Sequence, residues 1–163
     1  MSDISLPRRL YKFSVKREFD QTVNEDTTTD YQVNSPCSMQ KALESLDLHM
    51  AEQENFVVFF LDTRLKIKGF DMLTKGLLDR SPCHPREVFR AAIINGCSKI
   101  AIAHNHPSGD SSPSPADMRI TQILVDAGEL LGIKVLDHCI IGSTHKGVDF
   151  HSMKAHGTMP EAQ

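Results

Sequence analysis

The sequence predicts an α/β domain in which helices pack on the faces of a central mixed sheet. Two patterns point there. Apolar residues recur at three- and four-residue spacing over 38–54, again from Pro85, and over 115–131. Between these stretches lie short β-branched or aromatic runs at 56–61, 99–103 and 135–141. Length supplies a third constraint, because 163 residues suffice for one ordinary core and fall short of two.

The elements follow in order. Residues 1–37 read as an N-terminal arm or edge segment: 20–34 is polar and acidic, and Ser35-Pro36 forms a turn. Over 38–54, Met39, Ala42, Leu43, Leu46 and Met50 would share one helical face. The run 56–61 is a buried strand closed by Asp62-Thr63, and 64–74 returns as its hairpin partner, with Leu65, Ile67 and Gly69 alternating against charged neighbours. Pro85 opens a helix that turns Val88, Phe89, Ala92 and Ile93 inward and ends at Gly96. A strand over 99–103 runs into His104. A loop of Pro, Ser, Gly and Asp leads to the helix 115–131, whose inward face would be Ile120, Ile123, Leu124, Ala127 and Leu131, with Gly132 as its stop. The last strand is 135–141, beyond which His145, His151 and His156 fall in a polar, solvated tail.

Composition narrows the function classes. With 40% hydrophobic and 24% charged residues, the chain matches a globular protein and not a disordered or fibrous one. No apolar run approaches the ~18 residues of a membrane span, and the N-terminus has no apolar signal-peptide core. The four cysteines are scattered and form no CxxC pair, which suits a reducing compartment, so a cytoplasmic location is expected. A net charge of −3 argues against a dedicated nucleic-acid binder. One basic stretch, Arg8, Arg9, Lys12, Lys16 and Arg17, is either a solvated segment or a weak phosphate-contacting arm.

The residues that carry chemistry begin at His104-Asn105-His106. Two histidines at i and i+2 on a strand end point to the same side, and Asp117 follows in the first turn of the next helix. Two nitrogens and one oxygen make three ligands with a fourth tetrahedral position left for water, as in a catalytic zinc site. A plainer reading stands beside this one. Ser114 can cap the helix with Pro115 at its first position and Asp117 facing the free amides, and Glu87 after Pro85 can serve its own helix dipole in the same way. The literal HNH string says almost nothing about the nuclease motif of that name, whose residues are dispersed. Cys83-His84 lacks anything to lower the thiol pKa. In Asp137-His138-Cys139, strand alternation sets His138 opposite its neighbours, which suits a structural role better than a site.

Residues 84–142, which contain HPREVFRAAIINGCSKIAIAHNHPSGDSSPSPADMRITQILVDAGELLGIKVLDHCIIG, resemble the core of the RadC family, within the JAMM (MPN) metalloprotease-like superfamily. The superfamily pattern is an upstream glutamate, H-x-H-P, six residues and S-x-x-D. It is matched here by Glu87, His104, His106, Pro107, Ser114 and Asp117. The resemblance implies a JAMM/MPN domain over residues 38–156, with a cytidine-deaminase-like three-layer arrangement, and a tail at 157–163. It implies one zinc held by His104, His106 and Asp117, with Glu87 as general base and Ser114 beside the oxyanion. It implies hydrolysis of a peptide or isopeptide bond. The family name carries a DNA-repair association, but residues 1–55 contain no glycine, so the family's glycine-turned helix-hairpin-helix module is not expected here. Two other classes remain as expectations: a nucleic-acid-associated accessory protein of repair or mobile-element origin, and an inactive binding module.

Overall fold

The computed structural model describes residues 32–75 and 83–163. The basic stretch from Arg8 to Arg17 lies outside the described residues.

Helix α1 is Pro36–Ser45, opened by a capping box in which Ser35 and Ser38 satisfy each other's backbone N–H groups. Ser35-Pro36 therefore starts the helix, two residues inside the expected arm. The helical pattern expected over 38–54 is not one element. Asp47 adopts a left-handed conformation (φ 50), a short 3-10 turn follows at Leu48–Met50, and Met50 is 66% exposed. Leu48, not Met50, carries the apolar contact on that side.

Strand β1 (Asn55–Leu61) pairs antiparallel with β2 (Ile67–Lys75) on one side and with β3 (Lys99–His106) on the other. Helix α2 is Pro85–Ile94 and helix α3 is Pro115–Leu131. Strand β4 (Lys134–Thr144) lies parallel to β3, and β5 (Gly147–Ser152) closes the sheet antiparallel to β4. The order is β2-β1-β3-β4-β5, a mixed sheet as expected.

Every residue of β1 is buried because both faces of the sheet are covered. Phe56, Val58 and Phe60 face α2 and α3, where Val88, Phe89, Ala92 and Leu124 meet them. Val57, Phe59 and Leu61 face α1 through Met39, Ala42 and Leu43. The three layers enclose the centre of the sheet, and with it the end of β3.

Several expected facings are corrected. Ile93 is exposed, because the buried arc of α2 runs over Val88, Phe89, Ala91 and Ala92 and stops short of it. Ile123 and Leu131 of α3 are also about half-exposed. The buried stripe of α3 is Asp117, Ile120, Thr121, Leu124 and Gly128, a face that includes two polar residues and a glycine. At Gly128 a Cβ would meet the Ile133 carbonyl at 2.5 Å, so helix and following strand approach as only glycine allows. The chain beyond 144 is folded and is no loose tail, although His145 and His156 are exposed as expected. β5 contains His151, which stacks on His156 at 4.0 Å between ring centroids. Met159 packs against the core, and Gln163 donates its backbone N–H to Asp126.

Candidate metal centre

Strand β3 continues three residues past its apolar run and ends at His106. Within it His104 and His106 project to the same side, with ring centroids 4.7 Å apart. His104 is fully buried, and His106 sits at the rim with its side chain 18% exposed. The loop after β3 folds flat against β4: a Cβ at Gly142 would collide with the backbone of Gly109, itself in the left-handed region at φ 89. That packing brings the Asp110 carbonyl to His106 Nδ1 at 2.7 Å. A carbonyl only accepts, so Nδ1 carries the proton and Nε2 of neutral His106 presents a lone pair to the site.

Asp117 arrives from the first turn of α3, its side chain 7% exposed. Its Oδ2 accepts from the Ser114 N–H at 2.7 Å, while Ser114 Oγ accepts from the Asp117 N–H at 3.2 Å. The helix cap read from the sequence is therefore present. It does not compete with a ligand role: the cap aims the carboxylate, leaving Oδ1 3.3 Å from His104 Nε2 and Oδ2 3.5 Å from His106 Nε2. The two Nε2 atoms are 3.0 Å apart. Ligands at 2.0–2.1 Å around a tetrahedral ion are separated by about 3.3 Å. The three atoms thus sit close to the spacing of one face of such a tetrahedron. Among the described residues, this is the group of His, Cys, Asp and Glu side chains whose ligand atoms all fall within 4.8 Å of one another.

The electrostatics agree. Burial works against the charge of Asp117, but the adjoining His104 and His106 side chains outweigh it, and the carboxyl is held well below its usual range. Hydrogen bonding to Asp117 raises the pKa of His106 against the opposing effect of burial. The Asp110 carbonyl and the charges of Asp117 and Glu54 add to the rise.

Glu54 was missed by sequence reasoning. Strand pairing sets Phe56 across from His104. Glu54 lies two residues ahead of Phe56, just outside β1, and its charge reaches His106 and helps raise its pKa. The segment carrying Glu54 is clamped by the middle residue of the histidine triplet. Buried Asn105 accepts from the Asn55 N–H at 2.8 Å and donates to the carbonyls of Ala51 (3.2 Å) and Gln53 (3.0 Å). A carboxylate just ahead of a buried strand was visible in the sequence, but its nearness to His106 was not.

The structure gives Glu87, expected as the general base and not as a ligand, an ion pair at the surface. It lies at the third position of α2, 48% exposed, with its carboxylate 2.9 Å from Arg90. It does not join the three-residue group. Ser114 is half-buried at the rim, and its hydroxyl proton remains available while its oxygen accepts from Asp117. The Cys83 thiol is buried, which together with the negative charge of Glu87 pushes its pKa up to about 12 and removes it as a nucleophile. His138, read as structural, is fully buried and contacts His104 directly, with Nε2 2.8 Å from His104 Nδ1.

A three-layer α/β domain that presents two histidines from a strand end and an aspartate from the next helix, a group that could bind a metal ion, is a domain of the JAB/MPN type. A model of the RadC-like JAB domain matches residues 33–158, and the chain belongs to the RadC family. It is 41% identical over 128 residues to a UPF0758 protein of Thermosynechococcus vestitus, a match covering 78% of this chain and 49% of that protein. A UPF0758 protein of Caldanaerobacter subterraneus is 44% identical over 113 residues, 69% of this chain and 48% of that one. A third, from Moorella thermoacetica, is 46% identical over 96 residues, 59% of this chain and 42% of that one. The chain spans about half the length of the curated relatives it matches. No described helix is long and apolar enough to cross a membrane.

Proposed function

We propose that this chain is a zinc-dependent hydrolase that cleaves a peptide or isopeptide bond. The observation that carries the reading is the convergence of His104 Nε2, His106 Nε2 and the Asp117 carboxylate at 3.0–3.5 Å from one another. Two imidazoles and one carboxylate are the donor set of catalytic zinc. When bound there, zinc supplies a Lewis acid and an acidified water.

The chain's own residues supply the rest. Glu54, on the segment clamped by Asn105 and near enough for its charge to act on His106, is the carboxylate we assign to take the water's proton and return it to the leaving amine. Glu87, the residue that the family pattern picks out, would have to leave Arg90 first. Its charge serves the start of α2 as it stands. Ser114 donates its hydroxyl proton to the developing oxyanion.

The test is cleavage of a mixed peptide and isopeptide library by the zinc-loaded protein, run beside single-stranded and duplex DNA. Products from peptides that vanish in His104→Ala support the reading. A fully zinc-loaded wild type that cleaves nothing would sink it, and DNA retention without cleavage would favour a nucleic-acid-associated role.

A further inference from the structure

We infer that His138 and Thr121 are positioning residues which fix His104 in the one tautomer that can bind a metal. The inference rests on the metal reading of the triad and adds two residues to it.

A ligand histidine must present a bare nitrogen to the ion and hold its proton on the other. His106 does so simply, because its Nδ1 meets the Asp110 carbonyl. His104 has no such partner. It lies in the middle of the sheet, paired with Phe56 on one side and Ile140 on the other. Its Nδ1 points into the core and meets another imidazole, His138 Nε2, at 2.8 Å. Two imidazoles in contact do not define which one donates, so the direction must come from the far end of the chain.

That end is Thr121. Its hydroxyl contacts both His138 Nδ1 and the backbone carbonyl of Asp117. Met153 Sδ, at 3.7 Å, is a much weaker acceptor. The carbonyl cannot donate, so the Thr121 proton goes to it and the Thr121 oxygen accepts from His138 Nδ1–H. His138 Nε2 is then bare and accepts from His104 Nδ1–H, which leaves His104 Nε2 unprotonated toward His106 and Asp117. Each member is buried, so no water competes to reverse the order. The relay starts at the ligand His104 and ends on the backbone of the ligand Asp117.

Thr121→Val keeps the shape of the side chain and removes the hydroxyl. His138 Nδ1 then has no acceptor, its proton moves to Nε2, and His104 Nδ1 becomes the acceptor, with its own proton displaced to the metal-facing nitrogen. Nitrogen-15 NMR of the imidazoles in the metal-free full chain reads the tautomer. Zinc titration against a competing chelator reads the consequence. The wild type should carry a proton on His104 Nδ1. Thr121→Val should lose it and bind zinc roughly 10–100-fold more weakly, as other altered metal-site surroundings do. Thr121→Ser should restore both. A His104 Nδ1 without a proton in the wild type would overturn the inference, as would Thr121→Val binding zinc as tightly as the wild type. The expected tautomers and affinities without any hydrolysis would leave this inference standing and remove the hydrolase reading. Because the tautomer is read without metal, a wild type that binds no zinc would take down the metal reading while the NMR still decides the relay.

Discussion

Helices α2 and α3 begin with the same grammar and end up in different chemistry. Each has a capping residue, then proline, then an acid at the third position: His84-Pro85-Arg86-Glu87 and Ser114-Pro115-Ala116-Asp117. In both, the acid favours the helix dipole. The difference lies in what each helix start faces. α3 starts over the end of β3, so its acid is buried against two imidazoles. α2 starts at the rim, where its acid turns to Arg90. The cap also differs: Ser114 closes a reciprocal capping box with Asp117 and so orients the carboxylate, whereas His84 caps through Nδ1 to the Arg86 N–H and leaves Glu87 unheld. A local pattern that predicts a helix start cannot tell a ligand from a surface charge.

The largest expected effect breaks the symmetry outright. Asp117→Ala should strip most of the zinc from a protein that otherwise carries close to one ion per chain, and Glu87→Ala should strip none. Metal analysis of the two purified variants decides this, and equal zinc in both would remove Asp117 from the site.

The next effect concerns turnover in zinc-loaded protein. Glu54→Gln should lower hydrolysis by roughly 10²–10⁴-fold, the contribution of a positioned general base. Glu87→Gln should change it by no more than a few-fold. The reverse ranking in steady-state rates would return the base role to Glu87.

A pH experiment sharpens the electrostatic side. The raised pKa of His106 reflects an interaction of its protonated form with Asp117. That stabilisation is fully present below the unfolded value of about 6.5 and is lost as pH rises through the folded one. The depressed pKa of Asp117 acts oppositely: its contribution is present above about 3.9 and is lost only as pH falls toward the lower folded value. The interaction between His106 and Asp117 should therefore contribute most between these limits. The melting temperature of the metal-free protein should decline as pH rises past the His106 transition, a decline that Asp117→Asn should flatten. Parallel melting curves for both proteins across that range would contradict the assignment.

The smallest effect is the helix start alone. Glu87→Gln should cost no more than about 1 kcal/mol, the scale of one exposed charge at a helix N-terminus. A chemical denaturation midpoint well beyond that would mean Glu87 holds more than its helix.

How much of this was legible follows from which rules are local. Buried strands such as 56–61 and the helix at Pro115–Leu131 announce themselves through short-range periodicity. β5 did not, because an edge strand with Asp149 and His151 in it lacks the apolar run that marks a buried one. The inward face of α3 was misread for a related reason. Asp117 and Thr121 occupy it as polar residues, and hydrophobic patterning assigns such residues to solvent.

The sequence by itself determined the histidine pair, the aspartate and their spacing, because strand alternation and helix capping act over a few residues and aim those side chains locally. Only the tertiary structure decided that Glu54 comes near enough to His106 for its charge to act there, that Asn105 clamps its segment, and that His138 and Thr121 lie behind His104. Those placements depend on the register of β1 and β4 against β3. Register is set by side chains packing across the sheet, between residues 34 to 54 positions apart in the chain, and no local propensity records it.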